Sequence, residues 1–312
     1  MRYLGFLAAL ILLANCMPAP IKAAAMADSD FVIEDIGNGI YVHQGKHLDI
    51  DVGYQGDICN IIFVVGSKGV AVIDTGGSFK TGTKLREAIK KVTDKPILYV
   101  INTHVHPDHI FGNAAFLQDK AQFVGHEKLA TTMQLRKEAY DKLNIKYMGD
   151  DAKGSEIVLS TIQVKTPIEL DLGDRKLTVT PYPVAHTNTD ISVIDSKTST
   201  LFPGDLLFIE RTPVLEGDIK GLITAIDTLK TYPVKQVVPG HGPFTKDWVT
   251  ALNNEQRYLN ALLTDIRANI KAGKSMSDAM DTAAAGEKDK WLLFDIANRR
   301  NVNTLYPALE FE

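Results

Sequence analysis

Three of the chain's eight histidines fall within seven residues, 103–109, which read THVHPDH and follow the apolar run Ile97–Ile101 after Asn102 alone. Alternate residues of an extended segment point the same way. His104 and His106 can therefore converge on one ion while Asp108 and His109 aim at a neighbouring point. Imidazole nitrogen and carboxylate oxygen suit Zn²⁺, and Fe or Mn as well. Three further residues carry the same chemistry, each at or after an apolar strand-like run: His186 in VAHTNTD (184–190), Asp205 in LFPGDLLF (201–208) and His241 in VVPGHGP (237–243). Alone, each reads as an ordinary hydrogen-bonded residue. Together they complete a divided set: His104, His106 and His186 for one ion, Asp108, His109 and His241 for a second, and Asp205 bridging both. Two ions roughly 3.5–4 Å apart hold a shared water as hydroxide near neutral pH and polarise the bond it attacks. The expected reaction is metal-assisted hydrolysis.

The elements that must position these groups are short. Glycine-punctuated strands are expected over 31–36, 39–44, 59–66 and 69–74, and a helix over 79–92, where Leu85, Ile89 and Val92 recur at helical spacing. The strand 97–101 leads into the histidine cluster, and a helix-like stretch begins near Gly112. Residues 126–166 read as polar and irregular, with His126 opening a helix rather than ligating. Strands return over 168–172, 175–182, 190–195 and 199–203, followed by a helix near 219–230 and a strand over 235–239. From Trp248 the chain turns helical, with Leu252, Leu259, Leu262, Leu263, Ile266 and Ile270 forming a packing stripe. Gly273 stops that helix, and Ser275 or Ser277 caps a shorter one.

Composition sets outer bounds. Lys plus Arg is 34 and Asp plus Glu is 38, a net charge of −4 that gives no basic field for nucleic acid or an anionic membrane. Met1–Arg2, the apolar run Tyr3–Ala14 and small-residue sites around Ala23–Ala27 read as an export signal over 1–27. That run is shorter than a membrane span of about 20 residues. Localisation is then expected to be exported and periplasmic, with lipidation at Cys16 as a weaker competing reading because Asn15 is too polar for the site before it. Cys59, in a strand-like run, reads as small buried packing. The organisation expected is a catalytic domain over 28–247 and a helical extension over 248–312 packed on it.

The motif HxHxDH, then His, Asp and His, resembles the metallo-β-lactamase superfamily, together with AVIDTGGS (71–78) upstream. The resemblance implies an α/β fold, a four-layer αβ/βα sandwich. It also places Asp74 beneath the metal loop, orienting a ligand histidine, and makes Asp108 both a ligand and a group that orients the attacking hydroxide. Zinc β-lactamases with a cysteine ligand carry it near the position of Asp205. This chain has aspartate there, as in the glyoxalase II, lactonase and general hydrolase branches. The region 248–312 lacks a basic cluster beyond Arg299–Arg300, which disfavours a glutathione thioester. THVHPDHIFGN, FPGDLLF, VPGHGP and the terminal NVNTLYPALEFE further resemble the quinoprotein relay system zinc metallohydrolases, which implies a periplasmic alcohol-oxidising quinoprotein partner.

The resulting expectation is an exported hydrolase with two Zn²⁺, acting on an ester, thioester, lactone or amide. Two alternatives stay open: a mononuclear iron dioxygenase acting on a persulfide, and a non-catalytic metal-site protein that binds a small molecule or a redox partner. Thr187 and Asp190 read as hydrogen-bonding groups behind His186, or as ordinary strand-end residues. Tyr54, in HLDIDVGYQG (47–56), reads as a substrate wall, or as part of a solvated loop.

Overall fold

A computed structural model describes residues 31–51 and 54–312, so the export signal and Cys16 lie outside the described residues. Seven strands form the first sheet in chain order: β1 (Glu34–Gly37), β2 (Ile40–His43), β3 (Ile61–Val65), β4 (Val70–Ile73), β5 (Ile97–Ile101), β6 (Gln122–His126) and β7 (Ile162–Val164). β1 to β4 pair antiparallel, and β4 to β7 pair parallel through crossovers. The second sheet runs β12 (Gln236–Val237), β11 (Thr200–Phe202), β10 (Ile191–Asp195), β9 (Lys176–Pro181), β8 (Ile168–Asp171).

The inner faces of the two sheets bury Ile62, Val64, Ile73, Ile101 and Val124 against Leu177, Val179, Ile191, Val193 and Phe202. This is the central layer of the sandwich the motif implies. Helices α1 (Phe79–Val92), α2 (Pro107–Ile110) and α3 (Leu129–Met148) follow strands of the first sheet. α4 (Ile219–Lys230), α5 (Trp248–Lys271), α6 (Met276–Thr282) and α7 (Phe294–Glu310) share a core with the second half of the chain. In it Leu201, Leu206 and Ile226 pack with Leu252, Leu259, Leu262, Ile266 and Val302, so the C-terminal helices are built into the molecule.

The expected helix over 79–92 forms, and Ser78 caps it by accepting from Thr81 N. α5 begins at Trp248, Gly273 sits at φ 67° just beyond it, and Ser275 opens α6 with a reciprocal capping box to Asp278. The reading of residues 126–166 is corrected. The stretch expected to be irregular, 126–166, contains the 20-residue α3, and His126, read as opening a helix, ends β6 three residues before α3 starts at Leu129. Its inward positions include polar Thr132 and Asn144 while Leu135 and Ile145 are exposed, so residue type does not mark its buried face. The helix-like stretch expected near Gly112 forms as a 3₁₀ helix, Asn113–Asp119.

Candidate metal centre

The cluster sits where sheet strands end. β5 runs out at Asn102 and Thr103, and the next residues carry His104, His106, Asp108 and His109, the last two on the single turn α2. His186 follows β9, Asp205 lies in the turn after β11, and His241 lies just beyond β12. Glycine allows the close approach: a Cβ on Gly240 would sit 2.0 Å from Asp205 Oδ1. Asn60 at the head of β3 donates to the carbonyls of Pro239 and Gly242, tying the His241 turn to the first sheet.

All seven expected residues meet. His106 Nδ1 lies 3.0 Å from His104 Nε2 and 3.0 Å from His186 Nε2. Asp205 Oδ2 lies 3.3 Å from His186 Nε2 and 3.3 Å from His241 Nε2, while Oδ1 lies 3.3 Å from His109 Nε2. Asp108 Oδ2 is 3.4 Å from both His109 Nε2 and His241 Nε2. Two groups thus share Asp205: His104, His106, His186 and Asp205, with candidate ligand atoms within 4.8 Å of one another, and His109, Asp205 and His241, likewise within 4.8 Å.

Each of the five rings is held by its outer nitrogen. His186 Nδ1 donates to the Val214 carbonyl at 2.7 Å and His241 Nδ1 to that of Ile58 at 2.7 Å. A carbonyl only accepts, so both Nε2 atoms present lone pairs inward. His109 Nδ1 donates to Asp74 Oδ2 at 2.8 Å, and His106 Nε2 to Glu216 Oε2 at 2.8 Å. Thr103 Oγ1 donates to Asp74 Oδ2, so it accepts from His104 Nδ1 at 3.0 Å. With all five rings in the neutral form that a metal ligand takes, five lone pairs and two carboxylates face one another. That arrangement is repulsive unless cations stand among them. His109 Nε2 and Asp205 Oδ1 are buried with no hydrogen-bond partner among the described residues, the mark of atoms that expect a ligand. The donor set fits a metal pair.

Burial keeps His104 and His186 neutral, lowering His186 to about 3, which is the protonation state a ligand needs. Burial opposes ionisation of Asp205, but His241, His109 and His104 outweigh it and hold the carboxyl well below its usual range. Cys59 is buried, donates to the Asp108 carbonyl at 2.8 Å, and has its thiol pushed well up by that burial, in keeping with a packing role.

Asp74 is placed as the motif implies: its Oδ1 accepts from Thr103 N at 2.8 Å and its Oδ2 orients His109. Asp190 accepts from Thr187 N at 2.8 Å and Thr187 Oγ1 at 2.6 Å, closing the turn that carries His186. Tyr54 lies elsewhere than expected. It is buried with Ile58 and Met148 and does not line the cavity beside the cluster. From the same loop, Ile50 does.

That cavity, about 210 Å³, is lined by His106, Asp108, Asp205 and His241 and walled by Ile50, Ile58, Tyr140, Leu143, Phe208 and Val214. Phe208 stacks on the His241 ring, with centroids 5.1 Å apart. Arg211 also lines the cavity, is only 5% exposed, and has no hydrogen-bond partner at Nη1. Arg136 of α3 pairs with Glu216 and donates to Tyr140 at 2.8 Å. Glu216, Arg136, Tyr140 and Arg211 carry no local motif.

The sequence model of the Metallo-beta-lactamase superfamily matches residues 54–241. A "probable metallo-hydrolase" of Streptococcus pyogenes serotype M6 is 30% identical over 200 residues, covering 60% of this chain and 80% of that protein. A linear primary-alkylsulfatase of a Pseudomonas species is 40% identical over 53 residues, which are 17% of this chain and only 10% of the sulfatase. Among solved structures, a metallo-beta-lactamase from Pontibacter korlensis superposes with a TM-score of 0.60 at 22% identity, over 73% of this chain and 98% of that one.

Proposed function

The chain belongs to the metallo-beta-lactamase superfamily, and from that premise we propose that it is a metal-dependent hydrolase whose reacting centre is the cluster of His104, His106, Asp108, His109, His186, Asp205 and His241. The observation that carries this reading is the set of five imidazoles tied by their outer nitrogens with lone pairs turned inward.

His104, His106 and His186 would hold one ion, Asp108, His109 and His241 a second, and Asp205 would serve both. Zinc suits these nitrogen and oxygen donors, as iron or manganese also would. When bound, such ions supply a nucleophile from water near neutral pH and polarise the bond under attack. Asp108 lines the cavity and, kept ionised mainly by His109 against the opposing effect of burial, orients the attacking water. The apolar walls exclude bulk water and hold the hydrocarbon part of a small substrate. Arg211 receives negative charge on the substrate, because its buried Nη1, with no hydrogen-bond partner among the described residues, gains from an incoming anion. The substrate class is a small ester, thioester, lactone or amide. Aspartate rather than cysteine at position 205 favours the general hydrolase branches over a dedicated antibiotic-degrading enzyme.

Export to the periplasm is part of the proposal, supported by the charged, apolar and small-residue order of residues 1–27. So is service to a quinoprotein alcohol-oxidising system, supported by the resemblance of the metal-loop and terminal motifs. Among the described residues no helix is long and apolar enough to cross a membrane.

The test is turnover of a panel of esters, thioesters, lactones, β-lactams and sulfate esters before and after chelation, with Asp108→Ala and His104→Ala alongside. Activity that chelation and both substitutions leave untouched would end the proposal. Oxygen uptake with a persulfide and iron as the sole bound metal would replace it with the dioxygenase reading.

A further inference from the structure

Asp49 and Arg300 stand 251 positions apart and meet in a two-point pair, Nη1 to Oδ1 at 2.5 Å and Nη2 to Oδ2 at 2.7 Å. Both lie outside residues 54–241, the part matched by the superfamily model. Asp49 is only 9% exposed, so its carboxylate is held inside rather than spread on the surface. Its neighbour Ile50 forms a wall of the cavity beside the metal centre.

The loop carrying these residues is fixed at its base by Gly45 N to Asn60 Oδ1 at 3.0 Å and Lys46 N to the Asp57 carbonyl at 3.1 Å. Further along, side chains reach out to the rest of the molecule. His47 Nε2 lies 3.3 Å from Glu210 Oε2, and Asp49 reaches Arg300 on α7. A fork of two charge-assisted bonds fixes orientation as well as distance.

We propose that Arg300 is a positioning residue through which the C-terminal helix α7 sets the width of the cavity. It holds Asp49, and the loop then presents Ile50 to the substrate. The kinetic consequence rests on the hydrolase reading; the mechanical one does not. Loosening the loop removes contacts made equally to substrate and transition state, so KM rises while kcat holds.

The experiment compares metal-loaded wild type with Arg300→Met, Arg300→Lys, Asp49→Asn and the exchange Asp49→Arg with Arg300→Asp. It reads amide hydrogen exchange over 45–51 and the steady-state kinetics of a small ester. Arg300→Met and Asp49→Asn should speed exchange in that segment and raise KM about two- to fivefold with little change in kcat. Arg300→Lys, which keeps the charge but not the fork, should fall between, and the exchange should restore part of the protection. Protection and KM unchanged in Arg300→Met would overturn the inference, as would a fall in kcat with KM unmoved. If no ester is turned over at all, the hydrolase reading fails, while the exchange data still decide whether Arg300 holds the loop.

Discussion

Glu216 Oε2 lies 2.8 Å from His106 Nε2, which leaves the ring's Nδ1 as the atom that faces His104 and His186. Arg136 secures the carboxylate from the opposite side. The proposed first metal site therefore depends on a residue that no ligand motif contains. Glu216→Gln keeps the shape but weakens acceptance from the imidazole. Metal affinity measured by chelator competition should fall about 10- to 100-fold, as for other partners of ligand histidines. An unchanged affinity would show that His106 needs no such partner.

Removal of metal should destabilise the fold. Inward lone pairs and the buried, unpartnered His109 Nε2 and Asp205 Oδ1 are then left facing one another. A ligand present at 100 times its dissociation constant stabilises the folded state by about 2.7 kcal/mol. The unfolding midpoint should drop on chelation and recover on adding zinc. Asp205→Ala, which loses the shared ligand, should show little of that recovery.

Arg211 gives a separable prediction. Arg211→Met removes a buried charge without a hydrogen-bond partner at Nη1, so the unfolding midpoint should hold or rise. If the guanidinium receives the substrate's charge, preference for an anionic ester over its neutral isostere should shrink about 10- to 100-fold. The ratio of kcat/KM for the two esters is the measurement, and an unaltered ratio would remove Arg211 from recognition.

Acid stability has a local source away from the metals. Burial raises the Glu287 carboxyl, but bonds from Arg257, Lys290 and Trp291 outweigh it and bring the group to about 2, against an ordinary 4.5. A lowered carboxylate stabilises the fold fully above its unfolded value and loses that contribution as pH falls toward the folded one. Glu287→Gln should lower stability at neutral pH and flatten its loss between about pH 4.5 and 2 in denaturant titrations. An acid limb as steep as that of wild type would assign the sensitivity to other groups.

Much of the site was legible in the sequence because ligand chemistry concentrates at strand ends. His104, His106, Asp108 and His109 follow one apolar strand, and His186, Asp205 and His241 each lie beside another. The sheets were legible for the same reason, since apolar runs and glycines mark their limits. The cavity walls were not. Ile50, Tyr140 and the pair Arg211 and Glu216 come from three separate segments, and each is ordinary where it stands in the chain. Tyr54 was the residue of the Ile50 loop read as a wall, yet its ring completes the packing under the loop with Met148 of α3, a helix whose buried face residue type does not mark.

The most direct test of the two-metal centre is anomalous diffraction at the zinc edge from crystals of the purified protein. Two peaks should appear, one among His104, His106 and His186 and the other among Asp108, His109 and His241, with Asp205 between them. A single peak, or none within reach of these seven residues, would contradict a dinuclear zinc centre.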